Sequence, residues 1–118
     1  MSFSCHMAID TGGDGLAVVE DIGNYTGNVG AMWSNALAYA YERDISLDEL
    51  GPYKYLYTGA ELLPYLDRAV NHMQSYPEQY TPMNPPNGWG NYDGALVFLS
   101  AIRDACKNHP KAMLFIGY

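Results

Sequence analysis

The chain is poor in the residues that most directly announce a chemistry or a location. Only 6 of its 118 residues are Lys or Arg, against 13 Asp and Glu, for a net charge of −7. The six cations (Arg43, Lys54, Arg68, Arg103, Lys107 and Lys111) are scattered. There is no basic patch to neutralise a phosphate backbone, so nucleic acid is not an expected partner. A mimic of nucleic acid would need ordered rows of carboxylates. The acids instead group loosely over residues 10–21 and 42–49, the pattern of a solvated surface. Only two cysteines are present, Cys5 and Cys106, far apart in the chain and without a CxxC spacing. The expectation is a reduced, cytoplasmic protein. No apolar run approaches the roughly 20 residues of a membrane-spanning helix, and no secretory signal precedes the first candidate strand, so no membrane partner is expected.

Catalytic signatures are scarce as well. His6, His72 and His109 have no HExxH or other ligand spacing, and no serine stands in a GxSxG. Neither a metal nor a cofactor is expected, and no catalytic residue is assigned. The one arrangement worth naming is His6 with a carboxylate such as Asp10 or Asp93, which would make a small enzyme the third-ranked reading. Gly88, Gly90 and Gly94 follow GxGxxxG rather than GxGxxG, with no strand directly before them, so a dinucleotide loop is not indicated.

What is abundant is apolar and aromatic matter. The composition is 48% hydrophobic, and 11 residues are tyrosine. A chain of this length forms one domain, residues 1–118, and can bury a core without disulfides. Tyrosine carries apolar area with a polar tip and suits both sites and interfaces.

Periodicity sets the elements. "SFSCHMAID" alternates Phe3, Cys5, Met7 and Ile9 against Ser4, His6 and Ala8, a half-buried strand. "DTGGDG" is turn chemistry, and "LAVVEDI" is a second short strand, plausibly its hairpin partner. "GNYTGN" then breaks the chain, with Thr26 or Asn28 placed to cap a helix. Val29, Met32, Trp33, Ala36, Leu37 and Ala40 form one helical stripe. "SLDE" from Ser46 and "TGAE" from Thr58 are capping boxes, the first for a short turn and the second for an amphipathic helix. Pro64 implies a kink in that helix or a start at Pro64 itself. Asn91 caps a last helix running to about Asn108, and "KAMLFIGY" closes as a strand. The terminal strands need partners. The fold class expected is α+β: a two-layer domain with the N- and C-terminal strands in one small sheet and about three helices on one face.

The stretch "NPPNGWGNYDG", residues 84–94, gathers Asn84, Asn87, Trp89, Asn91 and Tyr92 between two prolines and three glycines. Trp89 can plug the core or turn its face to a ligand. The asparagines can satisfy loop backbone or read a polar ligand. "GNYTGN", with Trp33 one turn further on, has the same chemistry. If the two knots face each other, Asn24, Tyr25, Thr26, Asn28, Trp33, Asn84, Asn87, Trp89, Asn91 and Tyr92 surround a ligand-binding cleft. The loop is expected to be ordered, to pack on the start of the Val29 helix, and to be anchored by a buried Trp89 beside Trp33.

"IDTGG", "GNYTGNVGAMW" and "YTPMNPPNGWGNYDGALVFLSAIRDACKNHPKAML" resemble a group of small uncharacterised proteins of bacteriophages, especially phages of actinobacteria, and of some bacterial genomes. The resemblance covers most of the chain; residues 41–57 contribute little. It implies an accessory protein made in the host cytoplasm and acting by binding, with no activity to carry over. The leading expectation is therefore a binder of a small polar ligand, for instance a nucleotide signal of a host defence system. The alternative is an inhibitor or scaffold that binds a host protein, or a homo-oligomer through Tyr53, Tyr55 and Tyr57, which alternate in "GPYKYLY".

Overall fold

The computed structural model describes residues 2–13, 15–52 and 56–118. Strand β1 (Ser2–Asp10) and strand β2 (Leu16–Thr26) form an antiparallel hairpin across the glycine turn. Strand β3 (Met113–Gly117) pairs antiparallel with the other edge of β1, giving the sheet order β2-β1-β3. The two terminal strands are thus direct neighbours, as an α+β sandwich requires. Helices α1 (Gly30–Tyr41), α2 (Gly59–Ser75), α3 (Pro77–Tyr80) and α4 (Tyr92–Asn108) supply the second layer, with α2 packed against both α1 and α4. Among the described residues no helix is long and apolar enough to cross a membrane.

The period of two does what it must in β1. Phe3, Cys5 and Met7 enter the core with Leu114 and Ile116 of β3. His6 points the other way and lies flat against Phe115, with ring centroids 5.0 Å apart. His6 is therefore stacked on its own sheet rather than joined to the carboxylates named for it. Asp10 accepts a hydrogen bond from the Gly12 N–H in the hairpin turn, and Asp93 lies in the first turn of α4.

Two local expectations need correction. β2 does not stop at Ile22. It runs on through Gly23, Asn24 and Tyr25 to Thr26, because β1 supplies partners as far as Ser2. Gly23, at a φ of 110°, and the register shift beside it absorb the irregularity that reads as a chain break. Of the two alternatives for Pro64, a kink or a helix start, the start is overturned. The Thr58 capping box sets the start at Gly59, and the helix continues through Pro64, which sits on the exposed side. Capping at both ends of the Thr58–Glu61 pair outweighs one missing backbone donor.

Trp33 is the centre of the core. It is fully buried, and its ring meets Phe3 of β1 edge-on at 5.5 Å, Phe98 of α4 at 5.5 Å and Tyr25 of β2 at 6.2 Å. Its indole N–H donates to the carbonyl of Ala95 at 3.0 Å, so the polar atom of this large ring is satisfied inside the core. Sheet, α1 and α4 are joined through this one side chain.

Candidate functional site

The loop of residues 84–91 does lie against the "GNYTGN" segment, but not by the expected anchor. Tyr25 reaches up from β2, and its hydroxyl accepts the N–H of Asn91 at 3.2 Å. Below, the same ring stacks on Phe98 at 6.1 Å. Gly90, at a φ of 94°, passes so close to Thr26 and Val29 that no side chain fits there. Gly94 passes closer still to the Tyr25 phenol. These two glycines serve close approach, and Tyr25 is the side chain that holds the loop.

The amides are used by the loop's own backbone. Asn84 Oδ1 accepts from the Tyr92 N–H at 2.8 Å, Asn87 Oδ1 from the Trp89 N–H at 3.0 Å, and Asn91 Oδ1 from the Gly94 N–H at 2.8 Å. Three otherwise unpaired donors at a turn and a helix start explain three asparagines without a ligand. Thr26 likewise accepts from the Asn28 N–H. Tyr92 turns inward: its hydroxyl donates to the Met73 carbonyl, and burial raises its pKa. Trp33, with no exposed surface, has no face to offer a ligand.

Trp89 is the clearest departure. It is 69% exposed, so it is not the loop's anchor and does not meet Trp33. The core position is already filled by Trp33, and the turns at Gly88 and Gly90, both with positive φ, carry the intervening residue outward. Trp89 does border the "GNYTGN" side. With Ser2, Thr26 and Asn28 it lines a depression of about 310 Å³. Of the ten residues expected around one cleft, the structure brings only Thr26, Asn28 and Trp89 to it, while Asn24 is exposed on β2.

A larger cleft lies elsewhere, where sequence reading assigned none. It measures about 530 Å³ and is lined by Tyr41, Arg43, Ile45, Glu49, Leu50, Tyr57, Glu61 and Tyr65. Three local events build it. α1 ends at Tyr41 because Glu42 takes a left-handed conformation, φ 58°, and turns the chain across the helix end. The Ser46–Glu49 capping box then starts a short 3-10 turn, Leu47–Leu50, whose Leu47 and Leu50 bury. The Thr58–Glu61 box starts α2, which presents Glu61 and Tyr65 one turn apart on a single face.

The rings of Tyr41 and Tyr65 stack face to face, with centroids 4.1 Å apart and planes within 10°. The Arg43 guanidinium sits 5.5 Å from the Tyr41 ring centroid. Burial, and then the neighbouring Tyr65, pushes the Tyr41 phenol up to about 12. Hydrogen bonds from the Thr58 backbone N–H and then its hydroxyl hold the Glu61 carboxyl below the usual range. Glu49 accepts from the Ser46 N–H and hydroxyl at 3.1 and 2.9 Å. Both carboxylates are thus fixed in place beside the phenol rings.

The alternating tyrosines are only partly accessible to description. Tyr53 and Tyr55 lie outside the described residues, while Tyr57 is exposed at this cleft and its carbonyl accepts from the Leu114 N–H. The signal that sequence reading passed over was positional: Tyr41 at a helix end, and Tyr65 four residues after a capping Glu61, each counted only as part of a tyrosine excess. Among the described residues no group of His, Cys, Asp or Glu side chains is placed to hold a metal ion. Comparison with protein-family models, with curated proteins and with solved structures finds no match.

Proposed function

We propose that the chain is a small-ligand-binding protein whose ligand enters the Tyr41–Tyr65 cleft. The observation that carries this reading is the stacked tyrosine pair forming one wall of a cleft of about 530 Å³. That volume falls in the roughly 300–1,000 Å³ typical of small-molecule sites, which combine apolar and aromatic walls with a few fixed polar groups. Ile45 and Leu50 supply apolar lining, and Arg43, Glu49 and Glu61 supply the polar groups. The resemblance to phage proteins adds the context of an accessory protein that captures a host small molecule, such as a signal of a defence system.

Thermal-shift screening against nucleotides and host metabolites tests it. A ligand present at a hundred times its Kd adds about 2.7 kcal/mol, enough to raise Tm by several degrees in a domain of this size. The shift should vanish in Tyr65→Ala, which removes one exposed ring of the stacked pair. A panel in which no compound raises Tm, or in which Tyr65→Ala leaves the shift intact, would sink the reading.

A second reading, docking on a host protein, is favoured by Trp89. A hydrogen-bonded loop presents this ring 69% exposed, and tryptophan is enriched among the anchor residues of interfaces. Capture of a host protein by the wild type but not by Trp89→Ala supports it; equal capture by both removes it.

A further inference from the structure

We infer that the ligand class of the tyrosine cleft is a small organic cation, an alkylated ammonium group that sits against phenol faces between two carboxylates. This rests on the proposed function, since it takes the same cleft as the ligand site. Three observations converge. Tyr41, Tyr57 and Tyr65 contribute three rings to one cleft, and an aromatic face attracts a cation through its quadrupole. Glu49 and Glu61 place two negative charges in the lining, and their capping roles hold them there. Finally, the cleft already shows its preference: the chain's own Arg43 lies over the Tyr41 ring.

The charge balance argues against an anion. Among the described residues the lining carries Glu49 and Glu61 against one cation, Arg43, in a chain of net charge −7. An anion entering would meet two fixed like charges and an unfavourable ring face. A cation would be drawn by the field of the whole molecule and by the lining itself. Quaternary or methylated ammonium suits this setting best, because its apolar surface lies on the rings while its charge is spread over the methyl groups. Arg43 acts here as an internal competitor that an entering cation displaces.

Calorimetric titration of the full chain at constant ionic strength decides it, with three probes: choline chloride, the uncharged alcohol in which carbon replaces the choline nitrogen, and inorganic phosphate. Choline should bind about two- to fivefold more tightly than its uncharged counterpart, as expected for a cation–π site open to solvent. Tyr65→Ala should weaken choline about two- to fivefold. The double variant Glu49→Gln/Glu61→Gln keeps both capping boxes, since glutamine also caps, and should cut the preference for the charged probe several-fold. Arg43→Gln gives the sharpest sign: removing the competitor tightens choline binding, whereas it would abolish the binding of an anion.

Equal affinity for the charged and uncharged probes overturns the cation assignment and leaves the cleft as an apolar site. Phosphate binding that is lost in Arg43→Gln overturns it in favour of an anion. Failure of all three probes removes the cation assignment, and the thermal-shift panel then decides the proposed function separately.

Discussion

The Tyr25 phenol occupies the space that a side chain at Gly94 would need. The contact joins the end of β2 to the first turn of α4, and the same hydroxyl accepts the Asn91 N–H one residue before that helix. Gly94 should therefore behave unlike most helical glycines. Replacing an unconstrained glycine in a helix by alanine gains up to about 1 kcal/mol. Here Gly94→Ala must displace Tyr25 from its packing on Phe98 and Trp33, and a net loss of about 1–3 kcal/mol is expected. Urea denaturation of the variant beside the wild type measures it, and a stabilised variant would contradict the contact.

Tyr25→Phe isolates the hydroxyl. The Asn91 N–H loses its acceptor while the ring packing remains, and about 1 kcal/mol of stability should go. The loss should be accompanied by faster hydrogen exchange of the Asn91 amide in particular. Unchanged exchange at Asn91 would mean that the loop is held by other contacts.

The two tryptophans should respond oppositely to truncation. Trp33→Ala empties the centre of the aromatic cluster and should cost about 3–5 kcal/mol, enough to threaten folding of a small domain. Trp89→Ala removes a ring that is mostly in solvent and should change stability by less than about 0.5 kcal/mol. Thermal melts monitored by circular dichroism separate the two. A large loss in Trp89→Ala would return the ring to the role of anchor.

The chain should weaken in alkali. Burial, above all other causes, pushes the pKa values of the Cys5 and Cys106 thiols from 9.0 to about 12, and those of the Tyr41 and Tyr80 phenols from 10.0 to about 12. The unfolded chain releases these protons first, so folding favours the protonated form. The stability they contribute is fully present below about pH 9 and is lost as pH rises toward 12. Tm should be flat from pH 7 to pH 8 and fall progressively above 9. In the same range Cys5 and Cys106, both buried, should resist alkylation by iodoacetamide until the chain unfolds. Rapid labelling of either at pH 8 in the folded state would show that the core opens there.

Local chemistry alone made most of the elements legible. Alternation in β1, the capping residues Thr26, Ser46, Thr58 and Asn91, and the apolar stripes of α1, α2 and α4 depend on neighbours a few residues away. The two-layer arrangement was legible for a different reason: two apolar terminal strands must pair and amphipathic helices must cover them. The tertiary structure decided which of two similar rings is buried. Trp33 and Trp89 both sit near glycines and amides, but only one can occupy the space between Phe3, Tyr25 and Phe98, and a helical stripe presents its ring more directly than a loop does. It also decided that the asparagines of residues 84–91 serve backbone donors, since a hydrogen bond from Tyr92 to Asn84 exists only once the loop closes. The tyrosine cleft was invisible for the same reason. Tyr41 and Tyr65 are 24 positions apart, and no periodicity relates them. Their stacking follows from the left-handed turn at Glu42 and the packing of α1 on α2, both of which are set by the folded chain as a whole.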